Sequence, residues 1–118
     1  MTKLDFLLPE CKADFTIDKI KYHSISQWMA AMKAILFRDY QICNQIMITD
    51  CPYTCERLSK LVKGYNGNIW RVNIEHLYYR GTKAKLLQNT LNYLDFIMIK
   101  EHQLTSDILI RLKREFLM

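Results

Sequence analysis

The sequence predicts a mainly α fold: a single compact multihelical domain over residues 1–118, with a short β-hairpin following an irregular stretch at 1–14. Three observations predict it. Half of the residues are apolar and a quarter charged, with only three Gly and two Pro in the chain, the composition of a globular, helix-rich protein. Apolar residues recur at intervals of three and four through most of the chain, the period of a helix with one buried face. Phe15-Thr16-Ile17 and Ile20-Lys21-Tyr22 instead alternate with period two on either side of Asp18-Lys19. That is the pattern of a two-residue hairpin, although such a turn favours Gly where Lys19 stands.

The central helix follows. Ser24 reads as its N-cap with Gln27 three residues on, a reciprocal capping box. Ile25, Trp28, Met29, Met32, Ile35 and Leu36 form its expected inner face. Asp39 caps a second helix with Ile42, Cys43, Ile46 and Met47 inward, broken at Cys51-Pro52-Tyr53 because proline lacks the N–H to continue it. Thr54 is the expected N-cap of a third helix with Leu58, Leu61 and Val62 inside. Gly64 and Gly67 end it. A fourth helix opens at Asn68, carries Ile69, Val72, Leu77 and Tyr78, and stops at Gly81. Thr82 then caps a fifth, with Leu86 and Leu87, ending near Asn89. Phe96 to Ile99 fits either a helix end or a buried strand, and Thr105-Ser106-Asp107 opens a last helix.

Charge is unevenly spread. Residues 1–56 hold six Lys/Arg against seven Asp/Glu, and residues 57–118 hold eleven against five, within a net charge of +5. A basic half points to an acidic partner or to a solvated face. No apolar run approaches the roughly 20 residues that a membrane helix needs. Asp5 and Pro9 interrupt the N-terminus where a signal peptide is greasy. A cytoplasmic location is therefore expected, that of the host for a viral protein. Cys11, Cys43, Cys51 and Cys55 are expected as reduced thiols. Cys51 and Cys55 have no second ligand pair, so no metal is expected; no cofactor is expected either.

Taken in order, these segments resemble the NADAR family, small helical proteins associated with NAD and ADP-ribose chemistry. Its hairpin corresponds to Phe15 to Tyr22, and its Ser-x-Glu-Gln/His helix to Ser24-Ile25-Ser26-Gln27-Trp28-Met29 followed by Ala31-Met32-Lys33-Ala34. Leu58-Ser59-Lys60-Leu61-Val62, Trp70 and Lys85-Leu86-Leu87-Gln88-Asn89 match its later motifs, and Glu101 and the helix to Phe116 its end. The resemblance implies a ligand site made from Ser26, Gln27, Lys33, Trp70, Lys85, Gln88 and Asn89. Family enzymes cleave an N-glycosidic bond with a glutamate on the central helix, where this chain has Ser26. A hydroxyl cannot supply that negative charge. The Gly-Arg of the family is Ser59-Lys60 here, and its Asp-x-x-Trp-Gly segment has no counterpart.

Two functional readings follow. The first is a non-catalytic relative serving as a binding protein, without catalytic residues. Its contact surface would be basic, with Arg57, Lys60, Lys63, Arg71, Arg80 and Lys83, and a phage protein docking on host RNA polymerase is its concrete form. The second is a surviving N-glycosidase acting on ADP-ribose, ADP-ribosylated bases or related N-glycosides. It needs a carboxylate brought to Ser26 from elsewhere; Glu10, Glu101 and Asp107 are the candidates. The helices show no recognition-helix pattern, which ranks direct nucleic-acid binding behind both.

Overall fold

A computed structural model describes residues 8–89, in the order β1 (Phe15–Ile17), β2 (Ile20–Tyr22), α1 (Ile25–Leu36), α2 (Tyr40–Ile48), α3 (Pro52–Ser59) and α4 (Gly67–Gln88). The expected elements at Phe96–Ile99 and from Thr105 onward lie outside the described residues. The architecture is helical with one antiparallel hairpin, in which Phe15 pairs with Tyr22 and Ile17 with Ile20. Asp18 and Lys19 both take positive φ, 53° and 70°, the primed turn that matches strand twist. At Lys19 an ordinary side chain occupies a conformation that Gly would enter without steric cost.

The central helix is α1, packed against α2, α3 and α4. Ser24 caps it by accepting the Gln27 N–H. The reciprocal bond lands one residue earlier than a standard capping box, since Gln27 Oε1 accepts from the His23 N–H at 2.8 Å. The buried face is also rotated from the expected one. Ile25 and Trp28 are buried, but so are Ala30, Ala31 and Ala34, while Ile35 is 44% exposed. Three neighbouring helices approach α1, and small side chains let their backbones come close.

Asp39 joins two elements. One carboxylate oxygen accepts the Ile42 N–H at the start of α2 and the other the Lys63 N–H beyond α3. These bonds hold its pKa below the ordinary carboxylate value. The third helix begins two residues before the expected Thr54 cap, with Cys51 at the N-cap and Pro52 in the first turn. The missing N–H of proline costs nothing there. It ends at Ser59, so Val62 is buried beyond the helix and Leu61 is exposed.

The largest departure is α4. It starts from an Asn66 cap rather than Asn68, then runs without interruption through Gly81 to Gln88, where two helices are expected from the sequence. Gly81 is a packing residue. A Cβ placed there would lie 2.4 Å from Trp28 Cδ1 and 2.8 Å from Trp28 Nε1. The indole enters that notch and donates its N–H to the Leu77 carbonyl at 2.7 Å, one turn earlier on α4. Tyr22 meets the ring edge-on at 5.1 Å, and the Arg80 guanidinium lies 5.5 Å from its centroid.

Gly81→Ala tests this packing. Helix propensity alone would stabilise that variant by about 1 kcal/mol, whereas overpacking a filled site costs roughly 1–3 kcal/mol. With the overlap at Trp28, a net loss of at least about 1 kcal/mol is expected, read as a lower urea midpoint. A stabilised variant would refute the seated indole.

Candidate functional site

Three helical stripes converge on one cavity of about 360 Å³. From α1 come Ser26, Met29 and Ala30, from α3 and its end Glu56, Ser59 and Lys60, and from α4 Trp70 and Tyr78, with Pro9 completing the wall. The i, i+3, i+4 spacing on α1, repeated on α3, puts each set on one helix face. Ser26 is 4% exposed, and its Oγ donates to Glu56 Oε2 at 2.7 Å. Lys33 continues the α1 stripe one turn further, and its Nζ lies 3.5 Å from Ser59 Oγ. The same ammonium stands 4.5 Å from the Tyr65 ring centroid and 5.9 Å from that of Trp70. Burial, and then the neighbouring charge of Lys60, lower the Lys33 pKa.

Chemically, the cavity combines apolar and aromatic walls with one carboxylate, two serine hydroxyls, the Tyr78 phenol and an ammonium, and a second ammonium stands beside it. Such a mixture suits a ligand with a flat ring, a hydroxylated sugar and anionic groups. Among the described residues, no three His, Cys, Asp or Glu side chains cluster closely enough to hold a metal ion. The four cysteines are free thiols. Burial pushes Cys55 up to about 11, while hydrogen bonds to Thr54 lower Cys51. No helix among the described residues is long and apolar enough to cross a membrane.

Of the expected ligand residues, Ser26 and Trp70 line this cavity and Lys33 flanks it. The others point elsewhere. Gln27 is buried, and its amide donates to the Ile46 carbonyl at 3.0 Å at the end of α2. Gln88 grips β1 through both the N–H and the carbonyl of Thr16, at 2.7 and 2.8 Å. Asn89 donates to the carbonyls of Asp14 and Lys85. Of the expected partner-binding residues, Lys60 lines the cavity, while Arg57, Lys63 and Arg71 are exposed. Arg80 and Lys83 border a separate cavity of about 310 Å³ between the hairpin and α4, together with Gln88.

Glu56 is the residue that sequence reasoning missed. Of the three carboxylates that the sequence offers as candidates, Glu10 lies near Lys85 and Tyr78, and Glu101 and Asp107 fall outside the described residues. Glu56 stands thirty positions from Ser26, and no spacing rule joins residues so far apart on different helices. Its register with Ser59 and Lys60 on one face of α3 was the available signal.

Lys85 is 2% exposed and donates to the carbonyls of Leu8 at 3.3 Å and Cys11 at 3.2 Å. Burial lowers its pKa to about 8, against the opposing pull of Cys11 and Glu10. The unfolded chain therefore binds the extra proton between about pH 8 and the ordinary lysine value near 10.4. Where the unfolded state holds more protons, stability rises with pH. The unfolding free energy of the native chain, relative to Lys85→Met, is expected to climb across that window and stay flat below it. A difference independent of pH would contradict a buried ammonium.

Compared with known families, residues 1–110 match the model of the NADAR domain. No curated protein matches the chain.

Proposed function

The chain belongs to the NADAR family, and on that premise we propose that the cavity between α1, α3 and α4 binds an ADP-ribose-type ligand and hydrolyses an N-glycosidic bond. One observation carries the proposal. Ser26, Ser59-Lys60 and Trp70 lie in three separate stretches of sequence, yet they line a single cavity of about 360 Å³, within the usual size of small-molecule sites. Trp70 offers a face for a base or nicotinamide ring, and Ser59 a hydroxyl for ribose. Lys33 and Lys60 are two cations near one another, the first partly stripped of water. Both conditions raise the energy of an ammonium, and an anion between the two would lower it again. A diphosphate meets that demand.

Titration with ADP-ribose is expected to quench tryptophan fluorescence in the native chain and not in Trp70→Phe, with dissociation tighter than about 1 mM. NAD and an ADP-ribosylated guanine nucleoside are the probes for hydrolysis, with released base followed by chromatography. Binding without release would reduce the proposal to a ligand-binding role, and neither binding nor release would overturn it.

A second reading, a non-catalytic docking protein, is favoured by a different observation. Between residues 60 and 72, Leu61, Tyr65, Ile69 and Val72 are exposed and interleave with Lys60, Lys63 and Arg71. Apolar side chains among cations form a surface suited to an acidic protein partner. The partner for this reading is the RNA polymerase of a bacterial host, with the chain as a phage protein. The purified polymerase is expected to stay on the immobilised chain at physiological salt and to be lost on joint charge reversal of Lys60, Lys63 and Arg71. An enzyme that flows through unretained rules this partner out.

A further inference from the structure

The geometry points to Glu56 as the catalytic carboxylate of this chain, relocated from the central helix to α3, with Ser26 as the residue that positions it. The inference rests on the N-glycosidase reading above and names the group that carries its chemistry.

Breaking an N-glycosidic bond leaves positive charge on the anomeric carbon, and a carboxylate close to that carbon stabilises it. At the α1 position where a carboxylate is expected stands Ser26, buried and uncharged. Glu56 reaches across from α3 until its Oε2 is 2.7 Å from Ser26 Oγ. The Ser26 hydroxyl donates to that oxygen, so the short bond holds the Glu56 carboxyl group next to the site that lacks one. Glu56 is also the one carboxylate among the described residues that line this cavity.

The step is hydrolytic and redox-neutral. The bond from the anomeric carbon to the base nitrogen breaks, and its electron pair leaves on that nitrogen. Water forms the new bond to the same carbon. Its proton passes to Glu56 and from there to the departing base, or to solvent when the base leaves uncharged, as nicotinamide does. Glu56 ends the cycle ionised, as it began.

An alternative role for the pair is a simple tie between α1 and α3. The isosteric Glu56→Gln separates the two, because glutamine still accepts the Ser26 hydrogen bond but carries no charge. Base release from NAD and the ADP-ribosylated guanine nucleoside is measured for the native chain, Glu56→Gln, Ser26→Ala and Ser26→Thr, with ADP-ribose affinity in each variant as the check on folding. Glu56→Gln is expected to lose at least about 100-fold in turnover with unchanged ADP-ribose affinity. Ser26→Ala is expected to lower turnover by up to about 100-fold as the carboxylate loses its anchor, with ADP-ribose affinity unchanged, and Ser26→Thr, which keeps the hydroxyl, is expected to restore most of that loss. A native chain that cleaves while Glu56→Gln cleaves within threefold of it overturns the assignment and leaves the N-glycosidase reading standing. A native chain that cleaves neither probe overturns that reading, and the assignment with it.

Discussion

The seat of Trp28 against Gly81 is the constraint on which the rest of this structure depends. A Cβ at Gly81 would stand 2.4 Å from the indole, so the contact is open only to glycine. The indole N–H closes on the Leu77 carbonyl at 2.7 Å, which sets both the position and the rotation of α4 relative to α1. A helix pinned at one point along its length delivers its other residues by geometry, at about 1.5 Å per residue. Trp70 and Tyr78 therefore reach the cavity from α4 while Gln88, beyond the pin, reaches the hairpin. The site at one end of α4 and the clamp on β1 at the other share this one packing decision.

Around that pin, α1 is enclosed on several sides, and the polar groups it buries all have work in holding neighbours. Ser24 and Gln27 close the helix start, and Gln27 then satisfies a carbonyl at the end of α2 that has no partner within its own helix. Ser26, one residue away, turns to α3 and Glu56. Consecutive buried residues thus fasten α1 to different partners. The cavity inherits a rigid wall from this arrangement, which a site that must hold a carboxylate in place requires. Lys33 extends the same helix to the aromatic pair of Tyr65 and Trp70, so one helix presents a hydroxyl at one end and a cation at the other.

Part of the candidate site is legible in the sequence. Ser26, Lys33, Ser59-Lys60 and Trp70 stand out there through their motifs, and they gather at one place in the fold. Gln88 and Asn89 stand in the same kind of motif but spend their side chains on backbone groups of residues 14 to 16. A polar side chain in a sequence does not reveal whether a ligand or an unpaired carbonyl meets it. Glu56 shows the converse: an ordinary surface-type residue in its own helix acquires significance from a serine on another.

What the sequence determined by itself were the local decisions. The hairpin, the Ser24 and Asp39 caps and the helical character of each long segment follow from interactions between residues a few positions apart, and such interactions are written in the spacing. Tertiary structure alone decided whether Gly81 ends a helix or admits an indole, whether Thr54 or Pro52 begins α3, and which face of α1 is innermost. Each depends on what another element brings to the same point in space. Glycine breaks a helix when nothing rewards its missing side chain and continues one when a tryptophan fills the gap. The meeting of Ser26 and Glu56 is of the same kind, set by the packing of α1 on α3 rather than by either helix alone.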